Sequence, residues 1–438
     1  MLIIGSGISG LGAARLAAKH NFNTILSTLN KINEKQKIDL INQGVKIEEG
    51  SHSNLWLDSV DFIVKSPGVS PKIPILLKAR KKSLPIISEI EFASSFNSSK
   101  IIAITGTNGK TTTSTLLFYI LKNAGLNVDL AGNIGKSFSE SILTNTYDYH
   151  VLELSSFQLE DIDQFRPQIS IILNISKDHM NRYDSYEEYV NAKLKINMNQ
   201  NEENIFIYPY KVKSVEEYHT KAKKYTFGKN KSDNSACGAW IENDEIIIKT
   251  IKNNFTMTIH NLALKGTHNI YNSMAAALAA SALGIKNEII RKSLADFQGI
   301  NHRMELVGKI SGVNFINDSK ATNCNAVYYA LETVSSPIVW ICGGVDKGND
   351  YSNLIDLVEN KVKSIVVLGN DTKKIKNNFG HLVQELICVN SMKEAVKTAY
   401  SISNVGDTVL FSPACASFDL FKNYEERGEA YKSCVLEI

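Results

Sequence analysis

The run Gly106-Thr107-Asn108-Gly109-Lys110-Thr111-Thr112 concentrates glycine, lysine and hydroxyl side chains in one short loop. It follows the apolar stretch Ile101-Ile102-Ala103-Ile104 and precedes an apolar segment of helical pattern. A glycine loop between a strand and a helix lets successive N–H groups surround phosphates. A lysine there supplies a point charge to the β/γ oxygens, and a threonine hydroxyl can ligate magnesium. ATP is therefore the expected ligand, although Ile104 stands where the full Walker pattern has its first glycine. A second motif, Gly5-Ser6-Gly7-Ile8-Ser9-Gly10, fits G-x-G-x-x-G and suits a diphosphate at a helix N-terminus. A nicotinamide dinucleotide would need an acidic residue at the end of the next strand to hold its ribose. Ser27-Thr28-Leu29-Asn30 offers none there. The expected ligand is a different diphosphate, the alternative being a plain tight turn.

Other residues gain meaning from position. Glu153 ends an apolar strand in Leu152-Glu153-Leu154-Ser155-Ser156-Phe157-Gln158. The carboxyl edge of a parallel sheet is where ligands bind, so this carboxylate is placed either to hold magnesium or simply at an exposed strand end. Asp178-His179 follows the strand candidate Ile169 to Leu173 in the same way. Lys193, in a helical segment, reads by itself as a solvated surface lysine.

Strands alternating with helical patterns must carry these residues. That alternation runs through residues 1–93, again through 94–297, and again through 298–438, with a linker near Ser94 to Lys100 and a boundary near Phe297-Gln298-Gly299. Three α/β domains, each built on a mainly parallel sheet, are expected. Residues from about Asn197 to Ser235 show little periodicity. The formal net charge of +3 gives no reason to expect a nucleic-acid partner. The six cysteines form neither C-x-x-C nor a zinc-ligand spacing, which favours reduced thiols. The apolar start lacks a basic leader and is broken by glycines, and no apolar run is long enough to span a bilayer, so a cytoplasmic protein without membrane contact is expected.

The motifs also occur as an ordered series. The glycine loop and Leu152–Gln158 are followed by Ser176-Lys177-Asp178-His179, His268-Asn269-x-x-Asn272 and His302-Arg303. Asn317-Asp318-Ser319-Lys320-Ala321-Thr322-Asn323 and Gly343-Gly344-x-Asp346-Lys347-Gly348 complete it. This series resembles the Mur ligase family, ATP-dependent amide-forming enzymes of peptidoglycan precursor synthesis, over essentially the whole chain. Ser412-Pro413-Ala414-Cys415-Ala416-Ser417-Phe418-Asp419, with Phe421-Lys422-Asn423-Tyr424, resembles its D-glutamate-adding branch.

The resemblance implies a UDP-binding domain, a P-loop-type ATPase domain and an amino-acid-binding domain. It implies UDP-N-acetylmuramoyl-L-alanine and D-glutamate as small-molecule substrates, ATP, two magnesium ions and a monomer. Gly106, Thr107, Asn108, Gly109, Lys110, Thr111 and Thr112 would hold the phosphates. Asn269 and Asn272 would meet adenine, Arg303 the phosphates and Asp318 the ribose. Thr111 and Glu153 would bind the first magnesium and His179 the second. Lys193 matches the lysine that this family carries as a carbamate, and Lys320 would act near the transferring group. Ser6, Gly7, Ile8, Ser9, Ser27, Thr28, Ser66, Pro67, Gly68, Asn133 and His179 would hold the UDP-substrate. Thr322, Lys347, Ser417, Phe418 and Tyr424 would hold D-glutamate, Tyr424 standing where phenylalanine is usual. A sister ligase or folylpolyglutamate synthase would lack the Ser412–Asp419 block. An NAD-dependent oxidoreductase would leave Lys110 unexplained, and a P-loop kinase would not need motif residues on three domains.

Overall fold

A computed structural model describes the chain except Asn181, Asp233–Ser235, Gln298, Ile300, Lys347 and Asp371. Three sheets organise it. The first comprises β1 (Leu2–Ile4), β2 (Ile25–Thr28), β3 (Lys46–Glu49), β4 (Ile63–Lys65) and β5 (Ile86–Ser88). Its order is β3-β2-β1-β4-β5, parallel throughout. The strand order reverses beside β1, which places a ligand crevice at the β1 carboxyl end.

The second sheet contains β6 (Lys100–Thr105), β7 (Val128–Gly132), β8 (Tyr149–Glu153), β9 (Ile169–Ile172), β10 (Ile205–Pro209), β11 (Lys223–Phe227), β12 (Gly238–Glu242), β13 (Glu245–Lys249) and β14 (Asn254–Thr258). Their order is β14-β13-β12-β11-β10-β9-β6-β8-β7. Strand β6 lies between β8 and β9, fully buried through Ile102, Ala103 and Ile104, as its apolar run requires. Strands β10 and β11 form inside the stretch without periodicity, and β12 to β14 add an antiparallel edge that the sequence pattern does not announce.

The third sheet is built from β15 (Glu305–Ile310), β16 (Val313–Asn317), β17 (Ile338–Gly343), β18 (Val362–Leu368), β19 (Glu385–Val389) and β20 (Thr408–Ala414). Its order is β15-β16-β20-β17-β18-β19, antiparallel only between β15 and β16. Each sheet centres one α/β domain. By compactness the first two domains form one unit, Met1–Lys177 with Arg182–Leu262 and Tyr271–Asp296. The third forms the other, Phe297–Ile438 with Asp178–Asn181 and Ala263–Ile270. None of the six cysteines is joined in a disulfide among the described residues.

Inside the first unit the two sheets are joined by specific contacts. A Cβ on Gly12, in the helix Ile8–Lys19, would lie 2.2 Å from Ser137 Oγ, so that helix packs closely on the start of Phe138–Thr144. Glu91 accepts the backbone N–H groups of Asp163, Gln164 and Phe165 at 2.8 to 2.9 Å. Lys65, at the end of β4 and fully buried, reaches Asp161 Oδ2 at 3.1 Å and Glu160 Oε2 at 3.4 Å. Arg182 holds Glu160 through both carboxylate oxygens, at 3.1 and 2.7 Å. Burial works to raise the Glu160 carboxyl, but Arg182 and Lys65 outweigh it and keep its pKa below the ordinary range.

Candidate active site

Strand β6 ends at Thr105 and the helix Lys110–Asn123 begins five residues later, so the loop between them is short. Ile104 is the penultimate residue of β6, paired with Glu153 on one side and Ile171 on the other. The strand therefore continues through the position where a Walker loop would start turning. Gly109 precedes the helix at φ +82°, a left-handed conformation that favours glycine, and a Cβ there would lie 2.3 Å from Asn272 Oδ1. Asn174 braces the loop in both directions: its Oδ1 accepts Asn108 N–H at 2.9 Å, and its Nδ2 donates to Asn108 O at 3.0 Å.

Lys110 Nζ donates to Gly106 O and Thr107 O, both at 2.8 Å. Lys193 is buried and donates to the same Gly106 O at 2.9 Å. It comes from the helix Tyr186–Leu194, and Tyr189 lies four residues earlier on the same face. The Tyr189 ring centroid is 4.7 Å from Lys193 Nζ, and its hydroxyl bonds Thr107 Oγ1 at 2.9 Å. The reading of Lys193 as a solvated surface residue is thus overturned. Tyr189 and Asn174 were missed in the sequence; the four-residue spacing from Lys193 was the signal for the first.

Glu153 is buried at the end of β8. Its Oε1 accepts Asn133 Nδ2 at 2.9 Å, and its backbone carbonyl accepts Asn133 N–H at 2.8 Å. Ser114 Oγ lies 3.5 Å from Glu153 Oε2 and donates to Thr111 O at 3.2 Å, which brings Thr111 and Glu153 to the same end of the helix Lys110–Asn123. Among the described residues no three His, Cys, Asp or Glu side chains cluster as a metal site. The hard oxygen donors at hand are the hydroxyl of Thr111 and the Glu153 carboxylate, the type that magnesium prefers.

A cleft of about 580 Å³ opens at the β1 carboxyl end. It gathers Ser6, Gly7, Ile8, Ser9, Thr28, Ser66, Pro67, Gly68 and Asn133, drawn from both domains of the first unit. Ser6 Oγ and Thr28 Oγ1 are bonded at 2.8 Å, and Ser66 Oγ donates to Gly5 O at 3.0 Å. Ser27 departs from the sequence expectation: it is fully buried, and its hydroxyl faces Glu48 and His52 behind the cleft wall. His52, which belongs to none of the sequence motifs, lines the cleft.

The remaining candidates sit in the second unit or beside it. His179 adopts φ +56° and its N–H bonds Asp178 Oδ1 at 2.8 Å. On the helix Thr267–Leu283 the unit division falls between Asn269 and Asn272, both buried. Asn269 Nδ2 donates to Lys265 O at 2.9 Å. Asp318 is buried, with Ser412 Oγ on its Oδ2 at 2.8 Å and Met304 N on its Oδ1 at 3.3 Å. Burial pushes its carboxyl up to about 6, against the pull of Arg303 and these bonds. Burial, aided by the Arg303 charge, drives the His268 imidazole down to about 3, so it is neutral. Lys320 Nζ meets Tyr424 OH at 3.2 Å and lies 4.9 Å from its ring centroid. Ser417 is buried, Thr322 half-buried and Phe418 exposed. Lys347 lies outside the described residues, as does Gln298 at the expected domain boundary.

A phosphate-type glycine loop with two lysines on one carbonyl, a buried carboxylate beside it and a glycine-turned cleft in the same unit define a multidomain P-loop α/β enzyme. Three family profiles match the chain: Mur ligase MurD-like, N-terminal domain over residues 1–88, Mur ligase middle domain over 104–280, and Mur ligase, glutamate ligase domain over 302–415. The chain belongs to the Mur ligase family. It is 45% identical to the UDP-N-acetylmuramoylalanine–D-glutamate ligase of Christiangramia forsetii, across 99% of this chain and 98% of that one. It is also 45% identical to the Bacteroides fragilis enzyme of the same name, across 100% and 99%. The fold is similar to that of the MurF ligase of Thermotoga maritima solved in complex with ADP (TM-score 0.62, 16% identity, 95% of each chain). Among the described residues no helix is long and apolar enough to cross a membrane.

Proposed function

We propose that this protein ligates D-glutamate to UDP-N-acetylmuramoyl-L-alanine at the expense of ATP, as a monomer in the cytoplasm, a step of peptidoglycan synthesis. Full-length relatives at 45% identity bear the name of that reaction. The observation that carries the chemistry is the single compact unit holding both the cleft around Ser6–Ser9 and the loop around Lys110. Segments 1–93, 94–297 and 298–438 serve the UDP-substrate, ATP and the amino acid in turn.

A carboxylate resists attack by an amine because its leaving group would be oxide. Transfer of the ATP γ-phosphoryl to the alanyl carboxylate gives an acyl phosphate. The amine of D-glutamate attacks that carbonyl, and the tetrahedral intermediate expels inorganic phosphate. The protein contributes positioning and charge neutralisation. Lys110 leaves the carbonyls of Gly106 and Thr107 for the γ-phosphate, while the loop N–H groups hold the neighbouring oxygens. Thr111 and Glu153 would hold magnesium, joined by Lys193 as its carbamate and by His179; the ions would neutralise phosphate charge. An ammonium cannot ligate a cation, so Lys193 fits that set only after modification. Asn269 and Asn272 serve adenine, Arg303 and Asp318 the phosphates and ribose, and Lys320 the transferring group. Thr322, Lys347, Ser417, Phe418 and Tyr424 serve D-glutamate.

The test is phosphate release from ATP with UDP-N-acetylmuramoyl-L-alanine and each candidate amino acid. Release with D-glutamate and not with L-glutamate, L-alanine or a diamino acid is the expected result. Release with L-glutamate alone would overturn the assignment.

A further inference from the structure

The wall of the cleft contains a proton arrangement that the reaction chemistry does not use. Ser27 Oγ lies 2.7 Å from Glu48 Oε2, 2.7 Å from His52 Nδ1 and 3.1 Å from Ser51 O. Glu48 also accepts Trp56 Nε1 at 3.0 Å, Ser53 N at 3.1 Å and Ser51 Oγ at 3.3 Å. Burial works to raise its carboxyl, but these bonds outweigh burial and hold it below its ordinary value. Glu48 is therefore an ionised, acceptor-only partner. The one Ser27 hydroxyl proton goes to this carboxylate, the only ionised acceptor among the three partners described for it. The bond between Ser27 and His52 then needs a proton of its own, and only His52 Nδ1 can supply it. Burial lowers the imidazole pKa further than Glu48 raises it, so the ring is neutral at pH 7. With Nδ1 protonated, Nε2 carries a lone pair and can only accept.

His52 lines the cleft on the β3 side of the glycine turn: it follows β3, and its ring bonds Ser27 on β2, the strand beside β1. That is the side toward which a nucleoside would extend from a diphosphate at the β1 turn. Leu29, 63% exposed on the same wall, offers an apolar plane for a base. The opposite direction leads to Ser66–Gly68 and Asn133, the side of the sugar and its carboxylate.

We propose that His52 is a specificity-determining residue: its Nε2 accepts the imide N3–H of uracil, with Ser27 and Glu48 fixing the tautomer. Uracil presents a donor at N3 whereas cytosine presents an acceptor, so the wall admits a uridine handle and repels a cytidine one. This rests on the reading that the cleft holds a UDP-linked substrate.

Binding of UDP, CDP and N3-methyl-UDP to the full chain, measured by titration calorimetry, tests it. The unmodified protein should bind UDP about tenfold more tightly than either analogue, the worth of one well-placed hydrogen bond and the penalty for opposing acceptors. His52→Leu should weaken UDP to the level of N3-methyl-UDP and abolish the discrimination. Equal affinity of the unmodified protein for UDP and N3-methyl-UDP would overturn the role of His52 while leaving the UDP cleft standing, and needs no variant to fold. Failure to bind UDP at all would overturn the reading of the cleft, and this proposal with it.

Discussion

Lys110 and Lys193 share one acceptor: both ammonium groups donate to the carbonyl oxygen of Gly106, at 2.8 and 2.9 Å. Two like charges meet at this carbonyl, and a carbamate on Lys193 would turn one of them into an anion. Lys193→Ala is therefore expected to lose turnover by about a hundredfold or more, the scale of removing one group from a phosphoryl-transfer cradle. A small carboxylate such as acetate should restore part of it by occupying the vacated oxygen positions. Steady-state rates with and without acetate check this, and full activity without additive would end the carbamate assignment.

Lys110→Ala should abolish phosphate release while leaving UDP affinity unchanged, because the cleft at the β1 end is lined by other residues. Calorimetric titration with UDP alongside the rate assay separates the two effects. Parallel loss of both would mean that the loop and the cleft are one site.

Gly10 and Gly7 make opposite demands in the same motif. A Cβ on Gly10 would lie 1.8 Å from the carbonyl oxygen of Gly5, whereas one on Gly7, at φ −70°, meets nothing within 4 Å. Gly10→Ala should destabilise the protein by about 2 kcal/mol or more. Gly7→Ala should leave stability within about 0.5 kcal/mol of the unmodified protein. Urea unfolding midpoints measure both, and equal midpoints would contradict the close packing of helix on strand.

Glu89 gives the protein a pH-dependent weakness. Its Oε1 accepts Ser139 N–H at 2.6 Å, and the whole carboxyl is buried. Burial pushes the carboxyl up to about 7 from an ordinary 4.5. The folded state then holds this proton over a range where the unfolded chain has released it. Stability from this group is full below about pH 4.5 and falls as pH rises to about 7, by on the order of 3 kcal/mol in all. Glu89→Gln should remove that decline, gaining most above pH 7. Thermal unfolding of both proteins at pH 6 and pH 8.5 decides the matter, and parallel losses would show that Glu89 is ionised in the fold.

The parts legible in the sequence were those where local pattern and chemistry coincide. The apolar run before Gly106 and the Gly-Lys-Thr that follows it specify strand, loop and helix together. Glu153 was placed at a strand end because β8 is apolar up to that point. Strands β12 to β14 were not legible: each is only five residues long, and the continuous run Ile246-Ile247-Ile248 in β13 masks the alternation of burial along it. The burial of Lys193 was hidden because its helix has charged residues in the first turn and the covering surface comes from the distant glycine loop. Ser27 was a ligand-facing expectation only through the family resemblance; its inward turn depends on Glu48 and His52, partners that only the β2–β3 pairing brings near.

The ion cluster of Lys65 with Asp161, Glu160 and Arg182 fastens the end of β4 to the segment just after Glu153. Under the proposed function, that clasp makes the first unit a caliper with its jaws set: charged side chains would fix the gap between the cleft that takes the nucleotide and the loop that takes the phosphoryl donor. A precursor whose spacer is one residue too long or too short would then still grip at its uridine end, yet its carboxylate would miss the phosphorus.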